Sequence, residues 1–77
     1  IITFQIKSKD NFVGGLNIYD LTGKKVYTYN KIEIRPGENN YSWHGIDLKG
    51  MSVPSGLYFV VLNKGTQTFM QKILLIK

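Results

Sequence analysis

Apolar and polar residues alternate one by one along much of this chain, and a period of two is the repeat of a β-strand rather than of a helix. Ile2, Phe4 and Ile6 alternate with Thr3, Gln5 and Lys7, the pattern of a half-buried strand. Gly14 and Gly15 punctuate the chain, and Leu16 and Ile18 resume the alternation. Asp20-Leu21-Thr22-Gly23 reads as a type I turn, with Asp at the first position and Gly at the fourth. Val26 to Tyr29 is β-branched and aromatic, and Ile32 and Ile34 carry the alternation on around Glu33. Arg35 to Asn39, with Pro36 and Gly37, is expected to be a loop.

Tyr41 and Trp43 flank Ser42 in a short strand. Asp47-Leu48-Lys49-Gly50 repeats the turn chemistry of Asp20 to Gly23, and Pro54-Ser55-Gly56 makes a further break. The two turns share Asp-Leu-x-Gly-x-x-Val, which reads as one turn solution used twice, not as a repeat architecture. Leu57 to Leu62 is an unbroken apolar run, the mark of a strand covered on both faces. Asn63-Lys64-Gly65 signals a tight hairpin into a closing strand from Thr66 to Lys77, in which polar and apolar positions change parity and a bend is expected. Six or seven short strands with turns about every ten residues define an all-β, antiparallel, immunoglobulin-like sandwich. The 77 residues make one domain, 1–77. Such a chain buries only about 60% of its unfolded surface, so a stability of a few kcal/mol is expected.

With no cysteine, neither disulfides nor thiolate zinc can reinforce the core. One histidine, His44, leaves little for an imidazole site, and no cofactor is implied. The acids Asp10, Asp20, Glu33, Glu38 and Asp47 are not paired in sequence, and their spacing is not that of a calcium loop. Asp20 and Asp47 are explained by turn hydrogen bonding. No glycine-rich loop feeds a helix, so there is no phosphate cradle. No enzyme and no small-molecule substrate is read here.

The formal charge is +5, from nine lysines and one arginine, but the lysines are scattered and only Lys24 and Lys25 adjoin. That is a solvated surface and not a nucleic-acid interface, which favours clustered arginine with exposed aromatics. Trp43 beside His44, together with Tyr19, Tyr27, Tyr29, Tyr41 and Tyr58, raises carbohydrate stacking, against which stands ordinary packing on the sheet faces. Ile1 stands inside an alternating run, so the segment reads as an excerpt from a longer chain. It contains neither a signal-peptide pattern nor an apolar stretch of the ~20 residues a membrane helix needs.

Trp43-His44-Gly45-Ile46-Asp47-Leu48-Lys49-Gly50-Met51-Ser52-Val53-Pro54-Ser55-Gly56-Leu57-Tyr58-Phe59 resembles a pattern W-x-G-x-D-x-x-G-x-x-V-P-x-G-x-Y-F. That pattern is shared by the type A C-terminal sorting domains of the type IX (Por) secretion system and by the immunoglobulin-like domain of flagellar hook-capping proteins. Leu16 to Val26 is similar to the family's V-x-I-Y-D-x-x-G-x-x-V, and Lys72-Ile73-Leu74-Leu75-Ile76-Lys77 to its K-x-L-x-x-K ending. Two departures stand out. The family's opening P-N-P strand has no counterpart before Ile1, and His44 replaces the more usual Asp after Trp. A missing strand would leave an unpaired sheet edge, through which dimerisation is expected.

The resemblance implies a non-catalytic domain that directs an N-terminal cargo domain through an outer-membrane translocon and its sorting machinery. The cargo would cross the periplasm to the cell surface or the medium. The residues implied for recognition are Gly56, Tyr58 and Lys72, Ile73, Leu74, Leu75, Ile76 and Lys77. Gly56 is expected where a Cβ would clash, and Tyr58 to pack with its hydroxyl on a polar partner. For the final strand, an address read partly by strand addition stands beside an ordinary closing strand, and the resemblance favours the first. The rival reading of the whole chain is a structural immunoglobulin-like spacer.

Overall fold

A computed structural model describes residues 1–77. The chain is all-β, with six strands and no helix: β1 (Ile2–Ser8), β2 (Phe12–Tyr19), β3 (Lys25–Ile34), β4 (Gly37–Trp43), β5 (Gly56–Lys64) and β6 (Gln67–Leu75). They form two antiparallel sheets, β1-β4 and β3-β2-β5-β6, in an open sandwich. The alternation places Phe4 and Trp43 of the smaller sheet against Leu16, Ile18, Ile32, Ile34, Tyr58, Val60, Leu62, Ile73 and Leu75 of the larger, and these with Val26 make the buried core. No charged side chain is buried, and no buried side-chain polar atom lacks a partner.

Several local expectations are corrected. Arg35 to Asn39 is not all loop: β4 already begins at Gly37, and Asn39 pairs with Ile6 of β1. The Asn39 side chain takes over the work of the turn, donating from Nδ2 to the carbonyls of Arg35 (2.9 Å) and Ile6 (3.1 Å) and accepting the Arg35 amide on Oδ1 (3.0 Å). Gly14 and Gly15 lie within β2 and do not separate strands; the register against β3 shifts there, between Gly14 and Leu16. The reason for glycine at position 14 is close approach, since a Cβ would run into the carbonyl oxygen of Asn63.

The closing strand keeps one register against β5 from Gly56↔Leu75 to Lys64↔Gln67, with no bulge along it. Its change of parity has another cause. Only its second half, at Ile73 and Leu75, lies over the core, while Phe69 on the same face stands 51% exposed in a cleft that Ile6 of β1 and Phe12 of β2 also line. The apolar run Leu57–Leu62 is not covered on both faces either. Tyr58, Val60 and Leu62 are buried, but Leu57, Phe59 and Val61 point to the opposite face, which no element covers.

Aromatic hydroxyls tie the sheets at the β3–β4 corner. Tyr29 of β3 donates to the carbonyl of Ser42 (2.9 Å), and Tyr41 of β4 donates to the carbonyl of Glu33 (3.0 Å). With a two-stranded sheet on one side, these bonds supply part of the closure that apolar area alone leaves incomplete.

Candidate functional site

The segment from His44 to Ser55 has little regular structure, yet it is closely held. Asp47 accepts the amides of Lys49 and Met51 on Oδ1, both at 2.9 Å, while the Gly50 amide reaches the Asp47 carbonyl (3.0 Å) and the Asp47 amide the Met51 carbonyl (2.8 Å). Asp20 holds its own turn by the same set: Thr22 (2.9 Å) and Lys24 (3.0 Å) amides on Oδ1, Gly23 amide to Asp20 carbonyl (3.1 Å), Asp20 amide to Lys24 carbonyl (3.0 Å). Thr22 adds its hydroxyl to Asp20 Oδ1 (2.6 Å). These donors favour the charged carboxylate, and the Thr22 hydroxyl followed by the Lys24 amide holds the Asp20 carboxyl below its ordinary value. Each Oδ1 is thus already engaged with main-chain amides.

The same segment is pinned to the core by two aromatic rings. Trp43, 1% exposed, meets Tyr58 edge to face at 5.0 Å between centroids, which joins the smaller sheet to β5. Trp43 Nε1 donates to the Ile46 carbonyl (3.0 Å), and the Tyr58 hydroxyl donates to the Pro54 carbonyl (2.5 Å). Burial pushes the Tyr58 hydroxyl's pKa above its ordinary value, with the Asp20 charge a smaller contribution. Trp43 is therefore core and cannot stack on a glycan, and His44 beside it is exposed. The other tyrosines are half-buried.

Residues of the final strand close on this segment. Gly56 pairs with Leu75 and Tyr58 with Ile73. Lys77 donates its amide to Ser55 Oγ (3.0 Å) and its ammonium to the Gly45 carbonyl (3.1 Å) and to Ser52 Oγ. Gly56 is needed for a different reason from the one expected. A Cβ there would meet nothing within 4 Å, but φ is +153°, a backbone conformation that L side chains rarely adopt.

The eight residues singled out for recognition therefore fall into two groups. Gly56, Tyr58, Ile73 and Leu75 are framework, and Lys77, though exposed, is tied down by its hydrogen bonds. Lys72, Leu74 (52% exposed) and Ile76 (74%) face outward, away from that framework. Sequence reading did not single out Phe59 and Met70, which the register of β5 and β6 places beside Lys72 and Leu74; the continuous apolar run hid which of its residues face the core.

The model of the secretion system C-terminal sorting domain family matches residues 2–77. The chain belongs to that family, the sorting domains of type IX secretion, whose members are non-catalytic signal domains attached to an N-terminal cargo and directed to the cell surface or medium. Neither the curated proteins nor the solved structures offer a significant match.

Proposed function

We propose that this domain is the address by which a cargo protein, after crossing the periplasm, is handed to the outer-membrane translocon of type IX secretion, and that the address is read along β6 and its continuation, from Lys72 to Lys77. The single observation that carries the reading is the family match across residues 2–77. The position of β6 supports it. This strand lies at the edge of the larger sheet, paired only with β5, so its other side offers free amides and carbonyls to an added strand. Gly56 and Tyr58 hold the strand in place through their pairing with Leu75 and Ile73, and Lys77 locks its continuation to the Gly45–Ser55 segment.

The test is a fusion of the domain to a periplasmic reporter in a type IX-competent host. Reporter at the cell surface or in the medium is the expected result. A reporter that stays in the periplasm, while an established sorting domain exports the same reporter, overturns the reading.

A further inference from the structure

The sandwich is open along one side. β1 is paired only with β4 and β6 only with β5, and both strands border one cleft of about 450 Å³. The second half of β1, from Gln5 to Ser8, lines it on one side, and the first half of β6, from Phe69 to Gln71, on the other. Consecutive residues of each strand front the cleft, and successive side chains of a strand point to opposite faces. What the two strands present there is therefore their main-chain edges. Ile6, Phe12 and Phe69 form apolar walls, and buried Leu16 and Leu62 a floor. Phe69, 51% exposed, is the ring left most open.

Edges and dimensions say what fits. Stacked sheets lie ~10 Å apart and neighbouring strands ~4.8 Å apart, so a gap of one sheet separation takes one strand. That strand bonds to β1 on one side and to β6 on the other, while alternate side chains enter the apolar floor. It has to be free on both sides. Every strand of this chain is already paired on at least one side, so a folded second copy has none to offer. A lipid surface is flat and cannot pass between two sheets. A single acyl chain would fill the floor but leave the amides and carbonyls of both edges against hydrocarbon, without hydrogen bonds. Charge marks one end of the cleft. Lys64 is bonded to Asp10 (2.8 Å) and lies over the Phe12 ring, 4.8 Å from its centroid, and Lys7 stands opposite Glu38 of β4. Lys9 makes no ion pair and is met by a carboxylate on the entering segment.

Resting on the reading of β6 as the address, we infer that its reader is an isolated extended segment of another polypeptide, which enters the cleft between β1 and β6. The segment is apolar at alternate positions and acidic at the end that meets Lys9. A folded sheet edge is not read, and β1 is as much a part of the signal as β6.

The experiment titrates a synthetic peptide into the purified 77-residue domain. The peptide has the seven residues of a strand the length of β1, with valine and threonine alternating between terminal aspartates. Two analogues carry N-methyl groups on alternate amides, one set for each edge of the extended peptide. The expected result is saturable binding, lowered at least tenfold by either methyl set and by Phe69→Asp, whose melting midpoint does not move. Leu21→Asp, 62% exposed on a turn, leaves binding unchanged. Lys9→Glu weakens it about threefold, the size of an exposed ion pair. No binding at millimolar peptide overturns the inference. So does sensitivity to one methyl set only, which would be addition to a single edge. A self-associating domain that Phe69→Asp makes monomeric assigns the cleft to a second copy, and dodecanoate that binds where the peptide does not assigns it to an acyl chain; each overturns it. In the reporter fusion, Phe69→Asp is expected to lower export at least tenfold, and parental export in that variant also overturns the inference. Failure of the parent fusion to be exported strikes the sorting reading instead, while the titration still reads the cleft, so the two failures are distinct.

Discussion

The two faces of the larger sheet are built from the same strands, in places from adjacent residues, and they have opposite fates. Tyr58, Val60 and Leu62 disappear into the core, while Leu57, Phe59 and Val61, interleaved with them, look out. Both sets are apolar, so hydrophobicity alone does not decide which is buried. The smaller sheet decides it, by presenting Phe4 and Trp43 to one side only. A face that stays uncovered yet keeps apolar residues contributes little to stability and is available for recognition.

Substitutions should separate the two faces sharply. Trp43→Ala on the inner side is expected to cost about 3–5 kcal/mol, comparable to the whole stability of so small a domain; a denaturant titration should find the variant largely unfolded. Leu62→Ala should cost about 2–5 kcal/mol by the same measurement. If Met70→Ala on the outer face cost as much, the distinction between faces would collapse. Gly14→Ala tests how tightly the two central strands approach. Its Cβ must displace the Asn63 backbone, and overpacking of that kind costs about 1–3 kcal/mol.

Tyr58→Phe keeps the ring against Trp43 but loses the hydrogen bond to Pro54, for about 1 kcal/mol in the same titration. Burial also gives this position an alkaline signature. Tyr58 and Tyr29 both have hydroxyl pKa values raised above 10.0, so the folded state holds their protons more tightly than the unfolded state does. The stability they support is complete below pH 10 and is lost as pH rises through the raised folded values. Melting midpoints should therefore fall above pH 10, and fall less in Tyr58→Phe. Smallest of all, Met70→Ala should stay within about 0.5 kcal/mol of the parent, as is usual for an exposed side chain.

Much of this architecture is legible in the residues. The period of two marks β1 and β2, and the Asp-x-x-Gly pairs mark both turns, because an Asp at the first position can accept the amides that follow it. The spacing from Trp43 to Phe59 is also intelligible: each of Trp43, Asp47, Gly56 and Tyr58 performs a local task in holding one irregular segment. Less legible was the start of β4. Pro36 and Gly37 signal a loop, but the side chain of Asn39 satisfies the turn's backbone groups and lets pairing begin at once. The division of the residues proposed for recognition was hidden too, since Lys72 to Lys77 is contiguous in sequence while successive side chains of a strand point to opposite sides.

By itself the sequence determined the β class, the turns and the family cadence, since these depend on each residue's own propensity and its near neighbours. Only the tertiary structure decided which side of β5 is core, why Gly14 has no Cβ and where Lys77 is held. Those outcomes depend on contacts between strands far apart in the chain, which no local pattern encodes.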